Sequence, residues 1–362
     1  MKKLAILLCT VAVGITSAFA QTILRYTPST GAGQVYTNLD TAYAQAQNDD
    51  ILYLSGNTFL FGYNAVEKKL QWVGAGIYGD STLATGETRI NPTNPGSNYF
   101  AVRPNAGGSA FTGINFGGFR LNDCDVAGNI SLVTFVRCEF MSDWISLSYT
   151  GNFVGSTLNF RFQECIFNTF VTGNGFQGGA LSNITFDNCI FSRGLFRLRT
   201  GAYTFNNCIF WATANGDAIQ QNAGCAFNNC IFWDAATTSL LGGFMDQGNV
   251  FSRCTFSYPS IPVGGSGPNP TIVSNCIANV TTPFANTNGN YNYEDADDYH
   301  LVSGSPALTA GSGGGQCGIY GGTYAAKAGW VPFNPHISVK TIAPSTANGQ
   351  LNINITTTAQ TH

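Results

Sequence analysis

One stretch constrains the fold more than any other. Thr204-Phe205-Asn206-Asn207-Cys208-Ile209-Phe210-Trp211 is followed, one short segment later, by Ala226-Phe227-Asn228-Asn229-Cys230-Ile231-Phe232-Trp233. Self-similar segments at a period of about 22 residues mark a repeat architecture, in which each unit buries its apolar face only against its neighbours. The core of the unit is an apolar residue, two others, Cys, one other, Phe. It recurs at Phe135–Phe140, Phe162–Phe167, Phe186–Phe191 and Phe251–Phe256, and fades at Val273–Ala278. Leu121–Val126 reads as an earlier copy. From Cys138 to Cys276 the unit advances six times, which keeps the mean period at about 23 residues, within the solenoid range.

Parity within a unit indicates its shape. In Asn183-Ile184-Thr185-Phe186, alternation puts Ile184 and Phe186 on one face, and Cys189 and Phe191 also share a face. The spacing of three between Phe186 and Cys189 requires two residues to turn the chain while both pairs stay inward. Asp187-Asn188, Asn206-Asn207 and Asn228-Asn229 occupy that place. Asn tolerates the left-handed backbone such a turn needs. Strand, tight turn, strand and a longer turn, repeated every ~22 residues, make one coil of a parallel β-helix. Coils would stack about 4.8 Å apart. The expected fold is therefore all-β: a right-handed, single-stranded parallel β-helix with a short N-terminal capping helix. Leu39, Ala42, Tyr43 and Ala46 predict that helix within Thr37–Gln47. Ile51–Leu54 and Lys69–Val73 predict strands, and residues 77–110 are rich in loop signals.

The rest of the chain divides around the repeats. Residues 1–20 read as a signal peptide: Lys2 and Lys3, an apolar run from Leu4 to Ile15, and Ala18-Phe19-Ala20 as a cleavage site. Residues 21–110 read as an N-terminal cap and first coils, 111–322 as β-helix repeats, and 323–362 as a C-terminal cap or tail. Pro332, Pro335 and Pro344, with alternating Leu351, Ile353 and Ile355, suggest a small hairpin in that tail. No second membrane span is expected in the mature chain. Export to the cell surface or beyond is the expected location.

The chain resembles the secreted bacterial right-handed parallel β-helix proteins of pectin-lyase-like architecture, from Thr37 to about Gly322. Asn188, Asn207, Asn229 and Asn275 look like that group's asparagine ladder. Asp298-Tyr299-His300-Leu301, Gly304-Ser305-Pro306-Ala307 and Gly318-Ile319-Tyr320-Gly321-Gly322 look like the last coil of many of its members. Gln316-Cys317 stand where those members often carry Asp. These motifs imply architecture and name no reaction.

Eleven cysteines in an exported chain would ordinarily suggest disulfides. Here seven of them (138, 165, 189, 208, 230, 254, 276) hold one position in successive coils and would point inward in a single file. Neighbouring parallel side chains do not readily reach the torsion of about 90° that a disulfide needs. A ladder of buried thiols is expected, with Cys225 off the file and able to pair elsewhere. Metal binding is not expected, because no CxxC occurs and histidine stands only at 300, 336 and 362. No cofactor is expected either.

Charged residues are only 10% of the 362-residue chain, against roughly 25% in an average domain. A net charge of −3 argues against nucleic acid. Neutral polar surface is compatible with sugars or protein partners. Polysaccharide lyases on this fold use a Lys or Arg base and usually Ca²⁺ held by carboxylates. No lysine lies between Lys69 and Lys327, which leaves Arg137, Arg161, Arg193, Arg197, Arg199 and Arg253. Arg197/Arg199 with Asp217 or Asp234 would be the lyase constellation, against a solvated outer face as the simpler reading. Galacturonase-like hydrolases of this fold are excluded by the missing Gly-His-Gly and Arg-x-Lys. Glu294–Asp298 reads as an acidic turn before it reads as a Ca²⁺ site.

If Cys208 and Phe210 face inward, then Ile209 and Trp211 face outward, as do Ile231 and Trp233. With Ile166 and Ile190 they form an outer apolar stripe. An exposed stripe of this kind marks a contact surface, and aromatic faces suit sugar rings. Alternatively a loop, such as Met141–Leu158 or Tyr258–Pro270, covers it. The expected function is a non-enzymatic surface scaffold or glycan- or partner-binding module using Trp211, Trp233, Ile209 and Ile231. The alternative is a lyase acting on an acidic polysaccharide by β-elimination.

Overall fold

The computed structural model describes residues 21–358 except 64, 79–85, 94–98, 122–127, 142–143, 149–156, 174–180, 197, 199–200, 213–218, 221, 235–240, 243–247, 259–270, 288–293, 295, 327–329, 331–335, 344–345 and 347–349. Residues 1–20, expected from the sequence to be a signal peptide, lie outside the described residues. The chain winds into an all-β parallel solenoid with coils of about 24 residues.

Three sheets run along the solenoid. The first continues in parallel from Ile51–Leu54 through Gln71–Val73, Ala110–Thr112, Thr134–Val136, Arg161–Gln163, Leu181–Asp187, Gly201–Asn206, Cys225–Asn228 and Val250–Ser252 to Ile272–Ser274. The second runs from Thr58–Phe61 to Thr255–Phe256, and the third from Ala65–Val66 to Leu241–Gly242. Two strands per coil were expected. The longer turn in fact holds a third short strand, such as Leu195–Phe196, whose Leu195 is buried.

Register fixes which copies of the repeat are equivalent. Phe135, Phe162, Phe186, Phe205, Phe227 and Phe251 pair in succession, and Val273 follows. The partner of Phe135 on the other side is Phe111, and that of Phe140 is Phe116. The copy before Phe135 is therefore Phe111–Phe116, with buried Ile114 in the cysteine's place. It is not Leu121–Val126: Leu121 belongs to a third-sheet strand, Phe119–Leu121, and the remainder of that segment lies outside the described residues. Earlier still, Trp72 takes the place of Phe111. A pattern search tied to Cys misses coils in which another apolar residue fills the same space.

The core is two files of phenylalanine rings. Phe162/Phe186 and Phe186/Phe205 stack with centroids 4.8 and 4.7 Å apart and planes within 7°. Phe167/Phe191 and Phe191/Phe210 do the same at 4.7 Å. The spacing equals the strand repeat, so the rings inherit the backbone's translation. Across the coil the files meet edge to face, as Phe186 and Phe191 do at 5.4 Å and 69°, a favoured aromatic geometry. Each buried Phe contributes roughly 1.5–3 kcal/mol.

The cysteines lie beside these files as free thiols. Cys138, Cys165, Cys189, Cys208, Cys230 and Cys254 are buried, and Cys276 is half-buried in the last coil. Each reaches a backbone carbonyl of the preceding coil, as Cys189 Sγ reaches Phe162 O at 3.5 Å and Cys208 Sγ reaches Phe186 O at 3.4 Å. Burial pushes the Cys138, Cys165 and Cys189 thiols well above their ordinary pKa. Cys225 and Cys317 are likewise buried and form no disulfide with another described cysteine.

At the N-terminal end Ile23–Thr27 pairs antiparallel with both Ala32–Tyr36 and Ile51–Leu54. Beside it lies α1, Leu39–Gln45, capped by Asn38, whose side chain accepts from Thr41 N–H at 2.9 Å. Its buried Leu39, Ala42 and Tyr43 close the end of the core, with Tyr43 5.3 Å from Phe61 and 6.0 Å from Trp72. At the other end the chain does not add a last coil. Phe284–Asn286 and Asp298–Leu301 form an antiparallel pair, and the following residues run back along the outside of the solenoid. A hairpin of His336–Ile342 and Ile353–Thr358 follows.

Candidate functional site

The outer stripe is built as parity requires, and then it is covered. Ile209 pairs with Ile231 and Trp211 with Trp233, each pointing away from the phenylalanine files. Yet Ile209 is 1% exposed, Trp211 0% and Ile231 2%. They form a second apolar cluster with Ile166, Ile190, Phe284, Tyr299, Ala307, Cys317 and Ile319. Trp211 lies 5.0 Å from the Tyr299 ring and 5.9 Å from Trp233. Trp233 is only partly buried, and its indole N–H donates to Thr281 O at 3.1 Å. The expectation that these residues stand bare is therefore corrected for Ile209, Trp211 and Ile231, whereas Trp233 stays partly exposed. Among the described residues the cover comes from the segment 284–326, while most of Met141–Leu158 and Tyr258–Pro270 lie outside the described residues. The physical reason is that strands with apolar side chains on both faces need a layer on each side.

The asparagine ladder fastens that cover. Asn188, Asn207 and Asn229 have φ of 53–54°, the left-handed turn expected of them. Arg137, Glu164, Arg253 and Asn275 adopt the same φ in their coils, at 51–55°. Asn188 Nδ2 donates to Ile319 O and Gly321 O, both at 2.7 Å. Asn229 Oδ1 accepts from Ser312 N–H at 2.9 Å, and Asn229 O accepts from Gly318 N–H at 2.9 Å. The strap is glycine-rich because it approaches so closely. A Cβ on Gly321 would collide with Gln316 O and lie 2.5 Å from Asn207 Nδ2. Further along, Tyr324 covers Arg161 and Trp330 meets Tyr78. The stretch that resembles a last coil is this strap.

Two basic side chains of the middle coils, Arg137 and Arg161, are engaged. Arg137 and Glu164 are sealed from solvent, with Nε 2.9 Å from Oε2. Arg161 Nε bonds Asp187 Oδ2 at 3.0 Å, and its guanidinium lies 4.4 Å from the Tyr324 ring centre. Arg197, Arg199 and Asp217 lie outside the described residues, as does the side chain of Asp234. In the acidic turn, Tyr299 OH donates to Asp297 Oδ2 at 3.0 Å. Asp298 Oδ1 sits 2.6 Å from His300 Nδ1 and accepts from His300 N–H, which holds the Asp298 carboxyl below its ordinary pKa. His300 stacks on Tyr320 at 3.9 Å. Among the described residues no cluster of three or more His, Cys, Asp or Glu is placed to hold a metal ion.

A cleft lies at the N-terminal end, where sequence reasoning placed only a cap. It measures about 590 Å³ and is lined by Tyr43, Gly62, Tyr63, Glu67, Lys68, Arg103 and Asn105, with two alanines. Three segments meet there: the end of α1, the chain after Thr58–Phe61, and the 3₁₀ turn Pro104–Ala106. Gly62 N–H donates to Asp40 Oδ1 at 2.8 Å, and a Cβ on Gly62 would fall 2.6 Å from Asp40 Oδ2. That anchor leaves Tyr63 39% exposed, its ring 4.8 Å from Tyr43. Tyr43 OH accepts from Glu67 N–H at 2.7 Å, and burial pushes its pKa up to about 12. Lys68 Nζ donates to the carbonyls of Tyr43, Ala44 and Ala46 at 2.7–2.9 Å, satisfying the C-terminus of α1. Arg103 pairs with Glu67 across the wall. No sequence periodicity signals this cleft, because its walls come from three coils' worth of chain.

No helix among the described residues is long and apolar enough to cross a membrane. No family model, curated protein or solved structure matches the chain, and its parallel β-solenoid places it among β-helix repeat proteins by architecture.

Proposed function

We propose that the protein is an exported, non-enzymatic β-helix of pectin-lyase-like architecture that serves at the cell surface as a scaffold or as a glycan- or partner-binding module. The observation that carries this reading is the state of two of its basic groups. Arg137 is sealed against Glu164, and Arg161 is held between Asp187 and Tyr324. These two guanidiniums hold structure together and are not set as proton acceptors for a substrate. The stacked core supports the same reading, because a rod built from one repeated translation presents a fixed surface over its whole length.

The test is co-sedimentation of the purified mature chain with a panel of insoluble polysaccharides and fixed bacterial cells. The same samples are assayed for unsaturated uronate products by ultraviolet absorbance, with Ca²⁺ present. Retention on at least one surface without product is the expected result. Steady accumulation of unsaturated product from an acidic polysaccharide would replace this reading with the lyase. Absence of retention on every surface would overturn the binding part of it.

A further inference from the structure

The N-terminal cleft brings several recognition features together. It offers an exposed tyrosine ring, paired donors and acceptors, and a volume of about 590 Å³, inside the range of roughly 300–1,000 Å³ usual for small-molecule sites. Its floor is rigid: Tyr43 is buried in the cap and bonded through its hydroxyl, and Tyr63 rests on it edge to face.

The charges in this cleft are internally compensated. Glu67 is paired with Arg103, and the Lys68 ammonium is drawn into three carbonyls at the end of α1. An anionic ligand would find no uncommitted cation here, and would have to break an existing pair to gain one. A neutral polyhydroxylated ligand needs no such exchange. The Glu67 carboxylate, 49% exposed, supplies an acceptor for a sugar hydroxyl. The exposed Asn105 amide adds a donor and an acceptor. The Tyr63 ring supplies an apolar face for the C–H side of a pyranose.

We propose that this cleft is a binding subsite for a neutral sugar ring, with Tyr63 as the stacking platform and Glu67 and Asn105 as the hydroxyl-binding groups. The proposal rests on the reading of the protein as a binding module and gives that module a location and a ligand class. It moves the site from the buried Trp211 and the partly covered Trp233 to the N-terminal end of the solenoid.

The full mature chain is titrated calorimetrically with soluble gluco-, xylo- and manno-oligosaccharides and, separately, with oligouronates of matching length. At least one neutral series should bind. Tyr63→Ala and Asn105→Ala should each weaken it by about tenfold, because a lost ring contact or amide pair is worth on the order of 1 kcal/mol. Thermal unfolding midpoints of both variants should match the parent, since both side chains are exposed. Undiminished affinity in both variants would overturn the site while leaving the binding module standing, and so would unchanged co-sedimentation of Tyr63→Ala with a retained polysaccharide. Preference for oligouronates would overturn the ligand class. Failure of every neutral series to bind would overturn the proposal, and only failure of co-sedimentation as well would reach the wider reading.

Discussion

The two faces of the same strands follow different rules. Phe210 and Phe232 point inward and stack at 4.8 Å. Their neighbours Ile209, Trp211, Ile231 and Trp233 point outward in the same register, but the two indoles meet at 5.9 Å and 61° instead of stacking. They are packed instead against Phe284, Tyr299 and Ile319, from a segment with no repeat. The inner face is satisfied by translation, because each coil brings its neighbour's partner. The outer face is satisfied once, by a strap of unrelated sequence. Both faces bury similar residue types, and composition alone does not distinguish them.

The difference can be tested from its strongest point downward. Phe186→Ala removes a ring that touches partners in the coils on either side and across the core. It should cost about 3–5 kcal/mol, read as a loss of denaturant midpoint. A loss well under that would mean the stack tolerates gaps and is not one continuous element. Gly321→Ala acts on the outer face. Its Cβ would meet the Gln316 carbonyl, which is backbone and cannot swing aside. A cost of about 1–3 kcal/mol is expected, with tryptophan emission moving to longer wavelength as the cover over Trp211 loosens. An unchanged emission maximum would show that the strap does not depend on this close approach.

The smallest effect concerns pH. The Asp298 carboxyl is held below its ordinary pKa by hydrogen bonds from His300. A carboxyl depressed in the folded state adds stability above its unfolded value of about 4, and that stability is lost as pH falls through the folded value. Asp298→Asn should therefore lower the melting temperature slightly near neutral pH, and the gap from the parent should close below about pH 4. Both side chains are well exposed, at 48% and 62%, so the effect is minor. A gap that persists in acid would assign the strand's contribution to packing of His300 on Tyr320 instead.

The solenoid was legible because one short pattern carried it. Phe and Cys recur in the same order from coil to coil, and the left-handed Asn between them marks the turn. Coils before Phe135 were harder to read because Ile114 and Trp72 fill the same space as Cys and Phe. The third strand of each coil was hidden within turns of variable length: the step from Phe135 to its partner Phe162 is longer than the step from Phe186 to its partner Phe205. For the candidate site the sequence supplied parity alone. It put Trp211 and Trp233 on the outside, and nothing in the repeat says whether an outside face is bare.

What the sequence determined by itself is everything periodic: the fold class, the inward files and the thiol ladder, because these depend on contacts between units related by a regular step. The tertiary structure alone decided what lies over the outer stripe and where a cleft opens. Gly318–Gly322 meets Asn188 across more than a hundred residues, and Tyr63, Lys68 and Arg103 converge from separate turns. Such contacts join segments with no common period, so their chemistry can be read only once the chain has closed on itself.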